Sequence, residues 1–189
     1  MISYVGKVQA GLDRLRSGGE VGNDLVETAS ESENDDVLIK RGKNGFRAEG
    51  RSRTIRWNPG TKYGGLDVNG GTERPSFIGL GHELAHYVDG LDGSVDNNVW
   101  FNIGSKPIRN IEKFAMHVEN ALRQENGLAL RAWYGKNAGE GRALNNNGNS
   151  AWYQTTFTVR PLQLSSGGSE DMARQIQIPF NYRLHKMRF

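Results

Sequence analysis

The stretch Gly81-His82-Glu83-Leu84-Ala85-His86 constrains this chain more than any other. His-Glu-x-x-His on a helix sets two imidazoles at i and i+4, one turn apart on one face, where both can ligate one Zn²⁺. Glu83 lies about 100° further round the helix, placed to act as general base on a water polarised by the metal. The flanking residues agree with a helix. Thr72-Glu73-Arg74-Pro75-Ser76 is rich in turn and helix-start residues, and Phe77, Leu80, Leu84, Val88 and Leu91 recur at three- and four-residue spacing beside the two His. The spacing predicts a helix over 74–90 with a buried stripe.

Two His leave a catalytic zinc short of its usual three protein ligands, the fourth position being kept for water. Three acidic residues compete for the third place. Glu112 lies on a second predicted helix, opened by Pro107 and ended by Gly127, with Ile108, Ile111, Ala115, Val118 and Leu122 at helical spacing. Glu119 is two turns on, on almost the same face. Asp92 stands ten residues after His82. His117 sits about 140° round the helix from Glu112 and is expected at the surface or behind the ligands rather than among them.

Composition sets the frame around these residues. With 189 residues the chain is expected to be one domain, long enough for a real core. Only 36% of its residues are hydrophobic and 25 are Gly, which favours turns, loops and an α+β architecture over a helical bundle. There is no Cys, so a disulfide, a thiol nucleophile and a Cys-zinc site are excluded. The net charge of +3 comes from scattered Lys and Arg, which speaks against a nucleic-acid partner. No apolar run could span a bilayer, and Met1–Lys7 lacks the build of a secretory signal peptide.

Before the active-site helix, residues 4–17 read as an amphipathic helix with Val5, Val8, Leu12 and Leu15 on one side, closed by Gly18-Gly19. The acidic stretch 24–35 reads as a short helix running into a solvated loop. Strands are expected at 36–41 and 52–58 around a turn at 43–45, then a Gly-rich loop at 60–71. After the second helix come a polar loop at 135–150 and strand-like pieces at 151–160 and 175–184. The domain therefore divides into 1–50, a catalytic core at 51–135, and C-terminal strands and loops at 136–189.

Arg74-Pro75-Ser76-Phe77-Ile78-Gly79-Leu80-Gly81-His82-Glu83-Leu84-Ala85-His86 resembles the core motif of the NleD-type effector zinc proteases of pathogenic bacteria. So does Val118-Glu119-Asn120-Ala121-Leu122-Arg123-Gln124-Glu125-Asn126-Gly127-Leu128 followed by Leu130-Arg131 and Tyr134, where that family has an E-N-x-x-R-x-E-x-G-L segment ending in R-x-x-Y. The strand-like Thr54–Pro59 is also typical of it. The resemblance covers about residues 50–135.

It implies a compact zincin-like α+β domain, with a small antiparallel or mixed sheet before the HExxH helix and a second helix carrying the third ligand. It favours Glu112 as that ligand and leaves Glu119 to a supporting contact. It further implies a monomeric, zinc-dependent endopeptidase, secreted by a specialised bacterial system into a target cell, where it cuts proteins. Tyr134 leads among possible donors to the reaction's oxyanion, ahead of Arg131, Tyr153, Tyr182 and His185. The strand ending at Trp57-Asn58 is a candidate substrate edge, with Arg53 and Arg56 favouring acidic segments. The rival reading is a zinc-containing module that binds a partner without cutting it.

Overall fold

A computed structural model describes residues 2–32, 37–49, 52–91, 93 and 95–140. Ser3 accepts the Gly6 amide at 3.1 Å and opens α1, Tyr4–Gly18. The apolar side of α1 is Tyr4, Val8, Leu12 and Leu15 around the buried Gly11, whereas Val5 is 76% exposed, on the solvent side. Four-residue steps from Tyr4 keep one face, and Val5 falls 100° off it. Helix α2, Glu20–Ser30, begins four residues earlier than the acidic stretch indicated and buries Val21, Leu25, Val26 and Ala29. Its Gly19 cap has no side chain to satisfy the first amides. The Glu125 carboxylate does so from across the fold, accepting from Val21 at 2.7 Å and Gly22 at 3.3 Å.

Strands β1 (Val37–Arg41), β2 (Gly45–Glu49) and β3 (Ser52–Trp57) form one mixed sheet in the order β1-β3-β2. β1 runs parallel to β3, and β2 pairs with it antiparallel from Gly45↔Arg56 to Glu49↔Ser52. Strand β2 was not expected. Phe46 is its only large apolar residue, so it carries no alternation to read. Its presence makes β3 the central strand, with Ile55 and Trp57 buried and β1 and β2 as the edges among the described residues.

The HExxH segment lies on α3, Ser76–Asp89, within the predicted range. It is not amphipathic in place: every residue from Ile78 to Val88 is buried, because α1, α2, the sheet and a later helix surround it. A hairpin of β4 (Val99–Ile103) and β5 (Lys106–Arg109) follows. Pro107 belongs to β5, so the second active-site helix does not start there. As α4 it runs Ile111–Glu125, and Ile108 is a buried strand residue. Pro suits an edge strand as well as a first helical turn, and sequence alone does not separate the two. The other end is as read: Gly127, at φ +65°, leads out of the helix as the Leu128 amide bonds the Arg123 carbonyl at 2.8 Å.

Helices α3 and α4 meet at Gly81. A Cβ there would come within 2.4 Å of Leu122 Cδ1 and 3.1 Å of Leu15 Cδ2. The missing side chain beside His82 is what lets α4 approach. Ala115, Val118 and Leu122 carry the α4 side of the core, together with Phe114. The strand-like pieces at 151–160 and 175–184 lie outside the described residues. Among the described residues, no helix is long and apolar enough to cross a membrane.

Candidate metal centre and active site

The one-turn spacing on α3 sets the rings of His82 and His86 edge to face, with centroids 5.0 Å apart. Glu112 stands in the first turn of α4, and its Oε2 is 3.3 Å from His82 Nε2 and 3.4 Å from His86 Nε2. The ligand atoms of the three residues all lie within 4.8 Å of one another. Donors at 2.0–2.1 Å around a tetrahedral ion are separated by about 3.3 Å, so this N₂O set fits Zn²⁺ without rearrangement of the carboxylate. It also fits Zn²⁺ in chemistry. Asp92 lies outside the described residues.

Burial opposes a charged imidazole at His82, but the carboxylates of Glu112 and Glu119 beside it prevail, and its pKa is pushed up to about 9. Glu112 answers in kind: burial works to raise its pKa, yet the two His hold it far below the ordinary carboxylate range. Glu83, between the two His in sequence, is buried, and that burial raises its pKa against the pull of His82 and His86. A carboxyl shifted upward is a better proton acceptor near neutral pH than a free Glu.

Glu119 is fully buried and does not join the three donors. It stands behind them, with Oε2 3.0 Å from His82 Nδ1, the nitrogen opposite the donor atom. The same oxygen takes Arg131 Nη1 at 2.9 Å and Arg74 Nη1 at 3.5 Å, and Oε1 takes Arg123 Nε at 3.0 Å. Burial disfavours this anion, and the cations, Arg131 foremost, together with His82 keep it ionised. A carboxylate behind a ligating His fixes its tautomer and ring orientation.

Neighbouring residues of the segment also have visible tasks. Asn120 clamps the backbone of residue 131, donating to its carbonyl at 3.1 Å and accepting its amide at 2.8 Å. Arg123 also donates to the carbonyls of Ala129 and Glu73, at 3.0 and 3.2 Å. Arg74 and Arg123 were not singled out from sequence as parts of the site. Their only signal was membership of the two family-like motifs.

Tyr134 reaches the site from the chain beyond α4. Burial, then the charge of nearby Glu112, push the pKa of its phenol upward. The ring packs against Phe101 and Trp100, at 5.7 and 6.2 Å between centroids. Arg131, the other described candidate for an oxyanion donor, is buried and spends its guanidinium on Glu119 and on the carbonyls of Trp133 and Tyr134. Tyr153, Tyr182 and His185 lie outside the described residues. His117 is buried rather than at the surface, and burial pushes its pKa down to about 4.

The expected substrate edge is also displaced. β3 has a neighbour on each side, so it offers no free edge. The edge nearer the His pair is β2, whose Phe46 ring lies nearly parallel to that of His86 at 6.4 Å.

Fold and site together define a compact α+β domain of the zincin-like kind, with a small mixed sheet, an HExxH helix and a second helix facing it. The chain belongs to the peptidase M91 family, described as effector proteins, whose family model matches residues 3–115. That span includes His82, Glu83, His86 and Glu112 and stops short of Glu119, Arg131 and Tyr134. The protein is thus a peptidase-type bacterial effector, a class secreted into host cells to act on proteins there. No curated protein and no solved structure matches the chain.

Proposed function

We propose that this effector is a zinc-dependent endopeptidase, with His82, His86 and Glu112 as protein ligands and Glu83 as general base. The observation that carries the reading is the convergence of two imidazole nitrogens and one carboxylate oxygen from α3 and α4, at separations suited to tetrahedral coordination. Bound there, Zn²⁺ would supply Lewis-acid polarisation of water and of the scissile carbonyl. Glu83 takes the proton of the attacking water and returns it to the departing amine. Tyr134 donates its phenolic hydrogen to the oxygen that gains charge as the carbonyl is attacked. Glu119 orients His82 from behind.

Among the described residues, one hydrophobic cluster draws on all four helices and the mixed sheet, which supports a single catalytic domain. The outer edge of β2, unpaired among the described residues and next to His86 through Phe46, is where an extended substrate would add by main-chain hydrogen bonds.

Zinc affinity tests the ligand set. Glu112→Ala is expected to lose most of it, and Asp92→Ala to leave it nearly intact. Glu119→Ala should fall between, at about 10–100-fold weaker, the cost typical of a group that supports a ligand. Tight zinc binding by Glu112→Ala would remove Glu112 from the set.

A further inference from the structure

Residue 131 is fixed before its side chain does anything. Asn120 holds its amide and carbonyl, and it bridges to Asp67 in the Gly-rich loop. From that anchored backbone the guanidinium spends three separate donors. Nη1 bonds Glu119 Oε2 at 2.9 Å, Nε bonds the Trp133 carbonyl at 3.0 Å, and Nη2 bonds the Tyr134 carbonyl. Its flat face lies 5.0 Å from the centre of the Tyr134 ring. With those donors committed to protein acceptors, Arg131 is not arranged to grip a substrate. It is arranged as a strut between Glu119, the group behind His82, and the carbonyl and ring of Tyr134.

We propose that Arg131 is a positioning residue that holds Tyr134 over the candidate metal centre and ties it, through Glu119, to the same support that orients His82. This rests on the metal-site reading above and deepens it: the ligand side and the proton-donor side of the site share one guanidinium. Lysine cannot replace it. A single ammonium can neutralise Glu119 but cannot serve three acceptors in a fixed plane while covering a ring. Glu119 keeps Arg74 and Arg123 in either case, so its hold on His82 does not depend on Arg131 alone.

The test uses the full chain with ¹³C-labelled tyrosine, loaded with Co²⁺ in place of zinc, Tyr134 being assigned from the Tyr134→Phe variant. In the wild type the Tyr134 ring resonances are expected to carry a large paramagnetic shift, as a ring held over the centre requires. Arg131→Lys should lose most of that shift while Zn²⁺ affinity falls less than tenfold. Glu119→Gln should do the reverse, keeping most of the Tyr134 shift while Zn²⁺ affinity falls about 10–100-fold. If Arg131→Lys does not fold, as read by circular dichroism, Arg131→Gln carries the same comparison without a mismatched buried cation. A Tyr134 shift unchanged in the folded Arg131 variant would overturn the proposal. Failure of the wild type to take up Co²⁺ would instead overturn the metal-site reading, and the proposal with it.

Discussion

At the scale of single residues, the charge states around His82 decide how the site meets a metal. Without metal, His82 keeps its proton up to about pH 9, above its ordinary 6.5. A ligating imidazole must be neutral, so metal and proton compete for it. Zinc affinity should therefore rise up to tenfold per pH unit between about 6.5 and 9 and flatten above, as read by chelator competition across that range. The metal-free fold moves the other way. A raised His pKa contributes stability that is present below 6.5 and lost as pH rises through about 9, so its melting temperature should fall over that window. Glu83 is a separate matter, since it is expected to move protons rather than hold metal. Glu83→Gln should retain zinc and fold while turnover drops at least about 10²–10⁴-fold, measured as rate per bound zinc.

Between elements, the site depends on how closely α4 approaches α3. Gly81→Ala puts a methyl where Leu122 Cδ1 now lies, 2.4 Å away. Overpacking of this kind typically costs about 1–3 kcal/mol. Because the two helices carry different members of the proposed ligand set, zinc affinity should fall with it. Glu125→Ala makes a contrast at the far end of α4. It removes the cap on α2, worth about 1 kcal/mol in comparable helices, and should leave zinc affinity unchanged. Denaturant midpoints and zinc titrations of the two variants separate the effects.

The same scale explains what the sequence could and could not disclose. His82, Glu83 and His86 were legible because their relation is set within one helical turn. Helical spacing left Glu112 and Glu119 both open and only the family resemblance favoured Glu112, while the start of that helix was misplaced by four residues at Pro107. Strand β2 was not legible, since Gly45-Phe46-Arg47-Ala48-Glu49 holds its place through the register with β3 rather than through its own pattern. The arginines around Glu119 were silent for a similar reason. They come from residues 74, 123 and 131, and only the packed fold brings them to one carboxylate. The burial of α2 was hidden by its acidic exposed face.

The whole molecule is a peptidase M91 effector, and the activity proposed for it is hydrolysis of peptide bonds in its target cell by zinc chemistry at His82, Glu83, His86 and Glu112. A zinc-containing binding module would share the fold, the metal and the delivery, and differ only in leaving its partner intact. The measurement that separates them most directly is a proteome-wide search for new protein N-termini in target cells receiving the wild type or Glu83→Gln at matched levels. A set of N-termini present with the wild type and absent with the variant is expected, although both carry zinc. Identical N-termini from the two, with zinc bound in each, would contradict it.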